Sequence, residues 1–252
     1  MKAMILAAGL GTRLRPLTND RPKALVQVGD RTMLEIALSR LRDFGIRDVI
    51  VNVHHFAGMV LEYLKKNGNF GMHIEISHED ELLDTGGGLK KVAYFFRENL
   101  QAGQPEKEPF ILHNVDVIST IDLRRMVQFH ADHRALATLA VQDRETSRYL
   151  LFDEQLQLRG RRSGRDQKSE AVQSLPRVKA LAFSGIHVIS PGFLAMMTEQ
   201  GAFSIVDSYL RLASQGEKIL AFRADEYYWR DLGRPDNVRQ AAQDLKEKVL
   251  LR

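Results

Sequence analysis

The sequence has no cysteine, no long apolar run and no large excess of one charge. Without cysteine the chain forms no disulfide and has no thiolate nucleophile, which favours a reducing, cytoplasmic location. No apolar stretch approaches the roughly 18 residues that a membrane-spanning helix needs, so we expect no membrane partner. The apolar stretch at residues 3–8 is followed at once by glycine and arginine, a pattern typical of a first strand and its loop rather than of a secretion signal.

The composition is that of a globular protein with a substantial core. Of the 252 residues, 44% are hydrophobic and 27% are charged, and no linker or repeat divides the sequence. We therefore predict one domain over residues 1–252. The net charge of +4 suits anionic ligands but is too small to indicate nucleic-acid binding. Residues 159–168 contain four arginines and one lysine, but no aromatic residue lies among them for base stacking, which favours a solvated loop.

Apolar strands and amphipathic helices alternate through the first half of the chain. This alternation predicts an α/β fold with a mostly parallel sheet and helices on both faces. Binding sites in such sheets lie at the carboxyl ends of the strands, here after Ala8, Ser77 and Leu112. The predicted strands cover residues 2–8, 48–54, 72–79 and 109–117, and the predicted helices cover residues 33–45, 57–68 and 85–99.

The second half is more mixed. Residues 135–142 and 148–153 resemble two neighbouring strands, residues 159–179 a hairpin or mobile loop, and residues 180–190 a strong strand. Residues 227–235 read as a loop, and Pro235 begins a closing helix that we expect to reach about Leu250. His130 and His133 lie one helical turn apart, but no further ligand completes a metal set, so we interpret them as solvated or capping histidines.

The loop after the first strand combines flexible, rigid and cationic residues. Gly9 and Gly11 let the main chain bend and approach a ligand closely, so that successive backbone N–H groups can hold phosphate oxygens. Arg13 and Lys23 add fixed positive charge, and an arginine can grip two phosphate oxygens at once. Leu14 stands where a dinucleotide-binding loop would have its third glycine, so that motif does not apply. The pattern indicates a phosphate-binding loop.

Residues 6–25, LAAGLGTRLRPLTNDRPKAL, resemble the signature of the sugar-1-phosphate nucleotidylyltransferases. Further stretches similar to that family follow in order: TGGGL at 85–89, NVD at 114–116, FSGIHVI at 183–189 and WRDLG at 229–233. The likeness spans nearly the whole chain. It implies a Rossmann-like sheet without the carboxyl-terminal β-helix of some relatives. It also implies a nucleotide-binding half at residues 1–120 and a sugar-binding half with the closing helix at 121–252.

The resemblance implies an enzyme that joins a nucleoside triphosphate to a sugar 1-phosphate and releases pyrophosphate. Its catalytic residues would be Arg13, Lys23 and Asp116, and Asp116 with Asp231 would bind Mg²⁺. The implied sugar-phosphate contacts are Asn114, Ser184, Gly185 and Asp231. The implied nucleotide contacts lie in the opening loop and around the glycine cluster: Leu6, Ala7, Gly9, Gly11, Thr12, Arg13, Lys23, Glu79, Gly86, Gly87 and Gly88.

Two positions depart from the family pattern. Val115 replaces the usual glycine of Asn-Gly-Asp, and we expect it to crowd the strand end where the sugar phosphate would bind. Arg234 replaces a threonine and would add a cation at the metal edge. The resemblance implies UTP with N-acetylmuramate 1-phosphate, or with a related hexose 1-phosphate, as the preferred substrate pair.

Alternative substrate pairs stay open. They are GTP with mannose 1-phosphate or a heptose 1-phosphate, and CTP with choline phosphate. A non-catalytic nucleotide-sugar sensor would be expected to lose the cationic and acidic residues singled out above, and all of them are present. We expect a monomer or a homodimer.

Overall fold

The strands form one large mixed sheet and two small two-stranded sheets. The structure is a computed structural model that describes residues 1–97, 108–163, 168–171 and 177–247. The strands, in chain order, are β1 (Lys2–Leu6), β2 (Gln27–Val28), β3 (Arg31–Thr32), β4 (Asp48–Val53), β5 (His73–His78), β6 (Phe110–Asn114), β7 (Val117–Ser119), β8 (Ala137–Gln142), β9 (Arg148–Phe152), β10 (Leu158–Ser163), β11 (Lys168–Ala171), β12 (Lys179–Ile189), β13 (Ile219–Arg223) and β14 (Trp229–Asp231).

The first helix begins and ends with ordinary capping signals. The Thr32 side chain caps the first helix by accepting a hydrogen bond from the Glu35 N–H, and Gly45 ends it in the left-handed conformation at φ 107°. The helices are α1 (Met33–Phe44), α2 (Ala57–Lys66), α3 (Asp84–Lys91), α4 (Ala93–Arg97), α5 (Leu123–His133), α6 (Gly192–Ala195), α7 (Ile205–Ser214) and α8 (Pro235–Lys246). None of the described helices is long and apolar enough to span a bilayer.

The large sheet is parallel in its first part and antiparallel where the second half joins. β1 pairs in parallel with β4 and β6, and β4 pairs in parallel with β5, so four carboxyl strand ends meet at one edge. The long strand β12 runs antiparallel and joins the halves. One edge of β12 pairs with β8, and the other pairs first with β9 and then with β6. The predicted α/β fold class is confirmed.

Alternate residues of the central strands pack into cores on opposite faces of the sheet. In β1, Ala3 and Ile5 belong to one apolar cluster, whereas Met4 and Leu6 belong to the other. This two-sided burial is why the central strands are apolar at nearly every position rather than alternating with polar residues. It also leaves the ends of the strands as the place for polar side chains.

Several expectations for the second half were wrong. Residues 135–142 and 148–153 do not pair with each other, because each pairs with β12 instead. Residues 227–235 include the short strand β14, which pairs with β7, and α5 was not predicted. A hairpin at 159–179 is confirmed by the β10–β11 pairing, with residues 164–167 and 172–176 outside the described chain. The closing helix ends at Lys246, and residues 248–252 also lie outside the described chain.

Candidate active site

The loop that follows β1 folds back on itself and holds its cations outward. Gly11 adopts the left-handed conformation at φ 64°, and a Cβ there would lie 3.0 Å from Thr18 Cγ2 and 3.2 Å from Lys23 Cβ. The Thr18 hydroxyl donates to the Gly11 carbonyl at 2.9 Å. Leu14 is fully buried, whereas its neighbour Arg13 is exposed. The leucine at this position is therefore an apolar anchor that fixes the loop under its charged side chains.

Lys23 and Asp116 form an ion pair at the edge where the parallel strands end. Lys23 Nζ lies 3.1 Å from Asp116 Oδ2, and the two side chains are only 14% and 11% exposed. Lys23 Nζ also lies 3.5 Å from the point that a Cβ on Gly9 would occupy, so the ammonium rests against bare backbone. The loop after β1 and the end of β6 thus bring one cation and one carboxylate together, as the sequence predicts.

Asp231 and Arg13 meet beside the same pair. β14 pairs with β7, and the Leu232 N–H donates to the Asp116 carbonyl at 2.8 Å, which fixes Asp231 next to the end of β6. A Cβ added to Gly233 would lie 2.6 Å from Asp231 Oδ1 and 2.7 Å from Arg13 Nη2. Both groups therefore crowd one point, and only glycine leaves room for them.

A half-buried arginine supports the segment that follows Asp116. Arg40 of α1 donates hydrogen bonds to the backbone carbonyls of Ser119 and Ile121, and burial lowers its pKa to about 10. Burial, together with the charge of Arg40, lowers the pKa of His113 in β6 to about 3. His113 is therefore neutral at physiological pH, and the position of the carboxylate at the end of β6 does not depend on its protonation.

The two cations and two carboxylates described above, Arg13, Lys23, Asp116 and Asp231, line a cleft of about 560 Å³ at the carboxyl ends of β1, β4, β5 and β6. Ala7, Gly11, Thr12, Gly86, Gly87, Gly88, Ser184 and Gly185 were predicted as contacts, but they do not line the cleft. Eight of the predicted site residues line the cleft: Leu6, Gly9, Arg13, Lys23, Glu79, Asn114, Asp116 and Asp231. Six further lining residues were not predicted as site residues: Ala8, Asn52, Leu82, Asp84, Thr85 and Arg148.

Asn52 and Glu79 tie three strand ends together under the cleft. The Ala7 N–H donates to Asn52 Oδ1 at 2.7 Å, and Asn52 Nδ2 donates to Glu79 Oε1 at 2.7 Å. The other carboxylate oxygen of Glu79 accepts from the Leu83 N–H at 3.0 Å. Both side chains are buried, at 2% and 1% exposure. Asn52 was missed, and the available signal was a lone amide inside the apolar strand β4.

The glycine cluster of α3 is buried against the loop that precedes α7. A Cβ on Gly86 would lie 2.2 Å from the Phe203 ring, one on Gly87 would lie 2.4 Å from the Gly201 carbonyl oxygen, and one on Gly88 would lie 2.8 Å from Glu79 Oε1. The Gly86 N–H donates to the Phe203 carbonyl at 2.9 Å. Close packing with the protein therefore accounts for these glycines, and their contact with a nucleotide stays a prediction.

On the side of the predicted sugar phosphate, β12 bends at a bulge. The β12–β8 register shifts between Phe183 and His187, and Gly185 inside the bulge has φ 73°. A Cβ on Gly185 would lie 2.9 Å from Asn114 Nδ2. Asn114 Oδ1 and Ser184 Oγ are buried and have no hydrogen-bond partner among the described residues. Two unsatisfied polar atoms thus lie where the bulge of β12 packs against the end of β6.

The two departures from the family pattern have little effect on the cleft. Val115 is 1% exposed and packs in the apolar core, and its N–H donates to the Leu6 carbonyl at 3.1 Å. Its φ does not fall in the left-handed region. The expectation that Val115 crowds the sugar-phosphate side was therefore wrong. Arg234 precedes α8 as an exposed residue and does not line the cleft.

The donors in the cleft suit a hard divalent cation that also binds phosphate. Asp116 and Asp231 both line the cleft with carboxylates, and Asp231 Oδ1 already accepts from the Gly233 N–H at 2.6 Å. Among the described residues, no cluster of three or more His, Cys, Asp or Glu side chains could hold a metal ion by itself. Two carboxylates completed by phosphate oxygens and water are typical of Mg²⁺ sites rather than of Zn²⁺ or Ca²⁺ sites.

Comparison with known proteins agrees with this geometry. A family profile described as nucleotidyl transferase matches residues 2–248. This chain belongs to that family. It is 31% identical to the N-acetylmuramate alpha-1-phosphate uridylyltransferase of Caulobacter vibrioides, over 97% of both chains. It is 29% identical to the mannose-1-phosphate guanyltransferase of Yarrowia lipolytica, over 93% of this chain but only 61% of that enzyme.

Solved structures share the fold of this chain. The structure of HddC from Yersinia pseudotuberculosis in complex with GMP-PN superposes with a TM-score of 0.74 at 21% identity, covering 97% of this chain and 99% of that one. At this identity the likeness concerns the architecture alone. The nucleotidyl transferase assignment and the enzyme class predicted from the opening loop are confirmed by the family match.

Proposed function

We propose that the cleft transfers a nucleotidyl group from a nucleoside triphosphate to a sugar 1-phosphate. UTP and N-acetylmuramate 1-phosphate are the preferred substrates, because the relative that carries this name matches 97% of both chains at 31% identity. In the reaction an oxygen of the sugar phosphate bonds to the α-phosphorus, the bond from that phosphorus to the bridging oxygen breaks, and pyrophosphate leaves.

The difficulty of this reaction is electrostatic rather than one of proton transfer. The attacking phosphate oxygen is already ionised at neutral pH, so no general base is required. Two polyanions must instead be brought together, which calls for positioning and charge neutralisation. We assign Lys23 to the α-phosphate and Arg13 to the departing pyrophosphate. The bare backbone of Gly9 beside Lys23 gives the phosphates room to approach.

Asp116 and Asp231 are the residues that we assign to Mg²⁺. When bound, the ion would supply charge neutralisation between the phosphates of the two substrates. Asp116 also forms the ion pair with Lys23, so the same carboxylate orients the lysine before a nucleotide binds. Asn114 lines the cleft between these carboxylates and the bulge of β12, and we assign it to the sugar phosphate, whereas Ser184 and Gly185 of the bulge lie behind the lining.

The observation that carries the proposal is the Lys23–Asp116 pair at 3.1 Å, with Arg13 and Asp231 crowding Gly233 beside it. Two cations from the loop after β1 and two carboxylates, one after β6 and one in β14, meet at the carboxyl end of a parallel sheet. A cleft for a neutral metabolite would not need this set, since each buried charge costs desolvation energy.

The decisive experiment is a matrix of the four nucleoside triphosphates against several sugar 1-phosphates and choline phosphate, with Mg²⁺, scored by pyrophosphate release. We expect release with at least one sugar 1-phosphate, first of all with UTP and N-acetylmuramate 1-phosphate. Arg13→Ala should lower kcat on the order of 10²–10³-fold, the cost of losing one transition-state donor. Arg15→Ala, in the same loop but away from the cleft lining, is the matched control and should keep the wild-type rate.

Two outcomes would contradict the proposal. If no pair releases pyrophosphate while one nucleotide sugar binds tightly, the protein is a sensor rather than an enzyme. If Arg13→Ala and Arg15→Ala slow the reaction equally, the loss reflects the loop as a whole and not the placement of Arg13 beside Asp231.

A further inference from the structure

Arg144 is a half-buried cation on the loop between β8 and β9. Its Nη2 donates to the Phe183 carbonyl at 2.8 Å, which is its only hydrogen bond within the described chain, and its Nε is buried without a partner. A guanidinium has five N–H donors, and leaving a buried one unpaired is costly. Within the described residues no carboxylate lies within ion-pair distance of Arg144. Arg144 therefore has N–H donors available for a further hydrogen-bond partner.

An aromatic platform fixes the plane of this guanidinium. Arg144 Cζ lies 3.5 Å from the centroid of the Trp229 ring, and Trp229 Nε1 donates to the Ser184 carbonyl at 2.8 Å. Trp229 begins β14, two residues before Asp231, so the stack is built on the strand that carries the site carboxylate. Burial lowers the pKa of Arg144, and the nearby charge of Asp231 partly opposes that shift. A guanidinium stacked in this way donates from its edge, in its own plane.

A second arginine from the same loop, unlike Arg144, lines the cleft directly. Arg148 is the first residue of β9, is exposed, and lines the cleft together with Asn114 and Asp231. The loop is short and internally braced, since the Arg148 N–H donates to Thr146 Oγ1 at 3.3 Å. Neither arginine belongs to the loop after β1. The acceptor side of the cleft therefore has Arg148 in its lining and Arg144 near Asp231, in addition to the two cations assigned to the triphosphate.

We propose that Arg144 and Arg148 recognise a carboxylate substituent on the acceptor sugar, in addition to its 1-phosphate. The inference rests on the proposed function, whose preferred acceptor already carries a carboxylate, and adds the two residues that would select an acidic sugar 1-phosphate. The 1-phosphate itself must reach the α-phosphorus between Lys23 and the site carboxylates. A planar, stacked guanidinium with free donors is suited to a planar carboxylate, which it can bind through two parallel hydrogen bonds.

The test compares two acceptors that differ by one acidic group. N-acetylmuramate 1-phosphate and N-acetylglucosamine 1-phosphate are the same amino sugar with and without a lactyl carboxylate. The wild-type protein should use the acidic acceptor with the higher kcat/KM. Arg144→Gln should lower kcat/KM for the acidic acceptor by about 10- to 100-fold, chiefly through KM, the scale of a lost charge-assisted pair. The same substitution should leave kcat/KM for the neutral acceptor within threefold of the wild-type value.

Arg144→Lys keeps the charge but loses the planar fork, so we expect an intermediate loss. Arg148→Gln should also lower kcat/KM for the acidic acceptor. Arg125→Gln removes an exposed arginine over Tyr227, outside the cleft, and should change kcat/KM for neither acceptor. The ratio of the two kcat/KM values is internal to each variant, so partial unfolding does not alter it.

Equal losses for both acceptors in Arg144→Gln would mean that the arginine binds the shared 1-phosphate or only braces β14, and would overturn the inference. Wild-type protein that prefers the neutral acceptor would overturn it as well, while leaving nucleotidyl transfer intact. Absence of pyrophosphate release with every acceptor would instead contradict the proposed function.

Discussion

Substituting Gly233 by alanine should disable the site without unfolding the protein. The added Cβ would lie 2.6 Å from Asp231 Oδ1, 2.7 Å from Arg13 Nη2 and 3.2 Å from Arg13 Cζ. Since carbon contacts settle at about 3.5–4.0 Å, both groups must retreat by about 1 Å. Misplacing a reacting or neutralising group by that distance costs on the order of 10²-fold in rate. We therefore expect kcat of Gly233→Ala to fall by about that factor.

The fold should tolerate the same change. The groups displaced are the far ends of flexible side chains rather than packed backbone, so the free energy of unfolding should stay within about 1 kcal/mol of wild type. Gly58→Ala in α2 is the matched control, because nothing lies within 4 Å of its added Cβ and an alanine favours the helix. Pyrophosphate release and urea unfolding are measured on both variants. A folded Gly233→Ala protein with wild-type turnover would refute the claim that Arg13 and Asp231 act from these positions.

Further predictions concern stability. Gly86→Ala places a Cβ 2.2 Å from the Phe203 ring and 2.9 Å from the Phe203 carbonyl, so we expect a loss of about 1–3 kcal/mol in urea unfolding; an unchanged midpoint would contradict the packing described for α3. Burial lowers the pKa of His113 to about 3, of His130 to about 4 and of His187 to about 3. Because the unfolded chain binds these protons first, stability should be full above about pH 6.5 and fall as the pH drops toward 4, by up to about 1.4 kcal/mol per unit for each histidine. His130→Gln should reduce that slope, and a slope unchanged in this variant would refute the assignment.

The elements with strong periodicity were predictable and the short ones were not. Helix α1 has apolar residues at helical spacing and ends at Gly45, and both its type and its end are confirmed. Strands β7 and β14 contain three residues each, too few to show a period, and only their pairing makes them strands. Helix α5 was missed because one of its few buried positions is His130, which is bonded to Thr138 and Ser190 rather than solvated.

The cationic residues of the site were predictable because they cluster after the first strand in the sequence, whereas Asp116 and Asp231 were singled out by the resemblance to the family. The structure brings Lys23 to Asp116 and Arg13 to Asp231, as the opening loop and the two aspartates indicate. Arg148 was missed because an exposed arginine at the start of a strand has no local pattern that marks it as part of a cleft. The expectation for Val115 failed for a related reason, since the sequence does not show on which side of the strand end a side chain lies.

The most direct test of the account is a double-mutant cycle on the ion pair at the strand ends, with kcat measured on the substrate pair that the matrix identifies. Lys23→Gln and Asp116→Asn should each lower kcat on the order of 10²–10³-fold. Because the two groups act as one unit, the double variant should be far less impaired than the product of the single losses. Single variants within threefold of wild type, or losses that multiply fully, would contradict a shared catalytic role for Lys23 and Asp116.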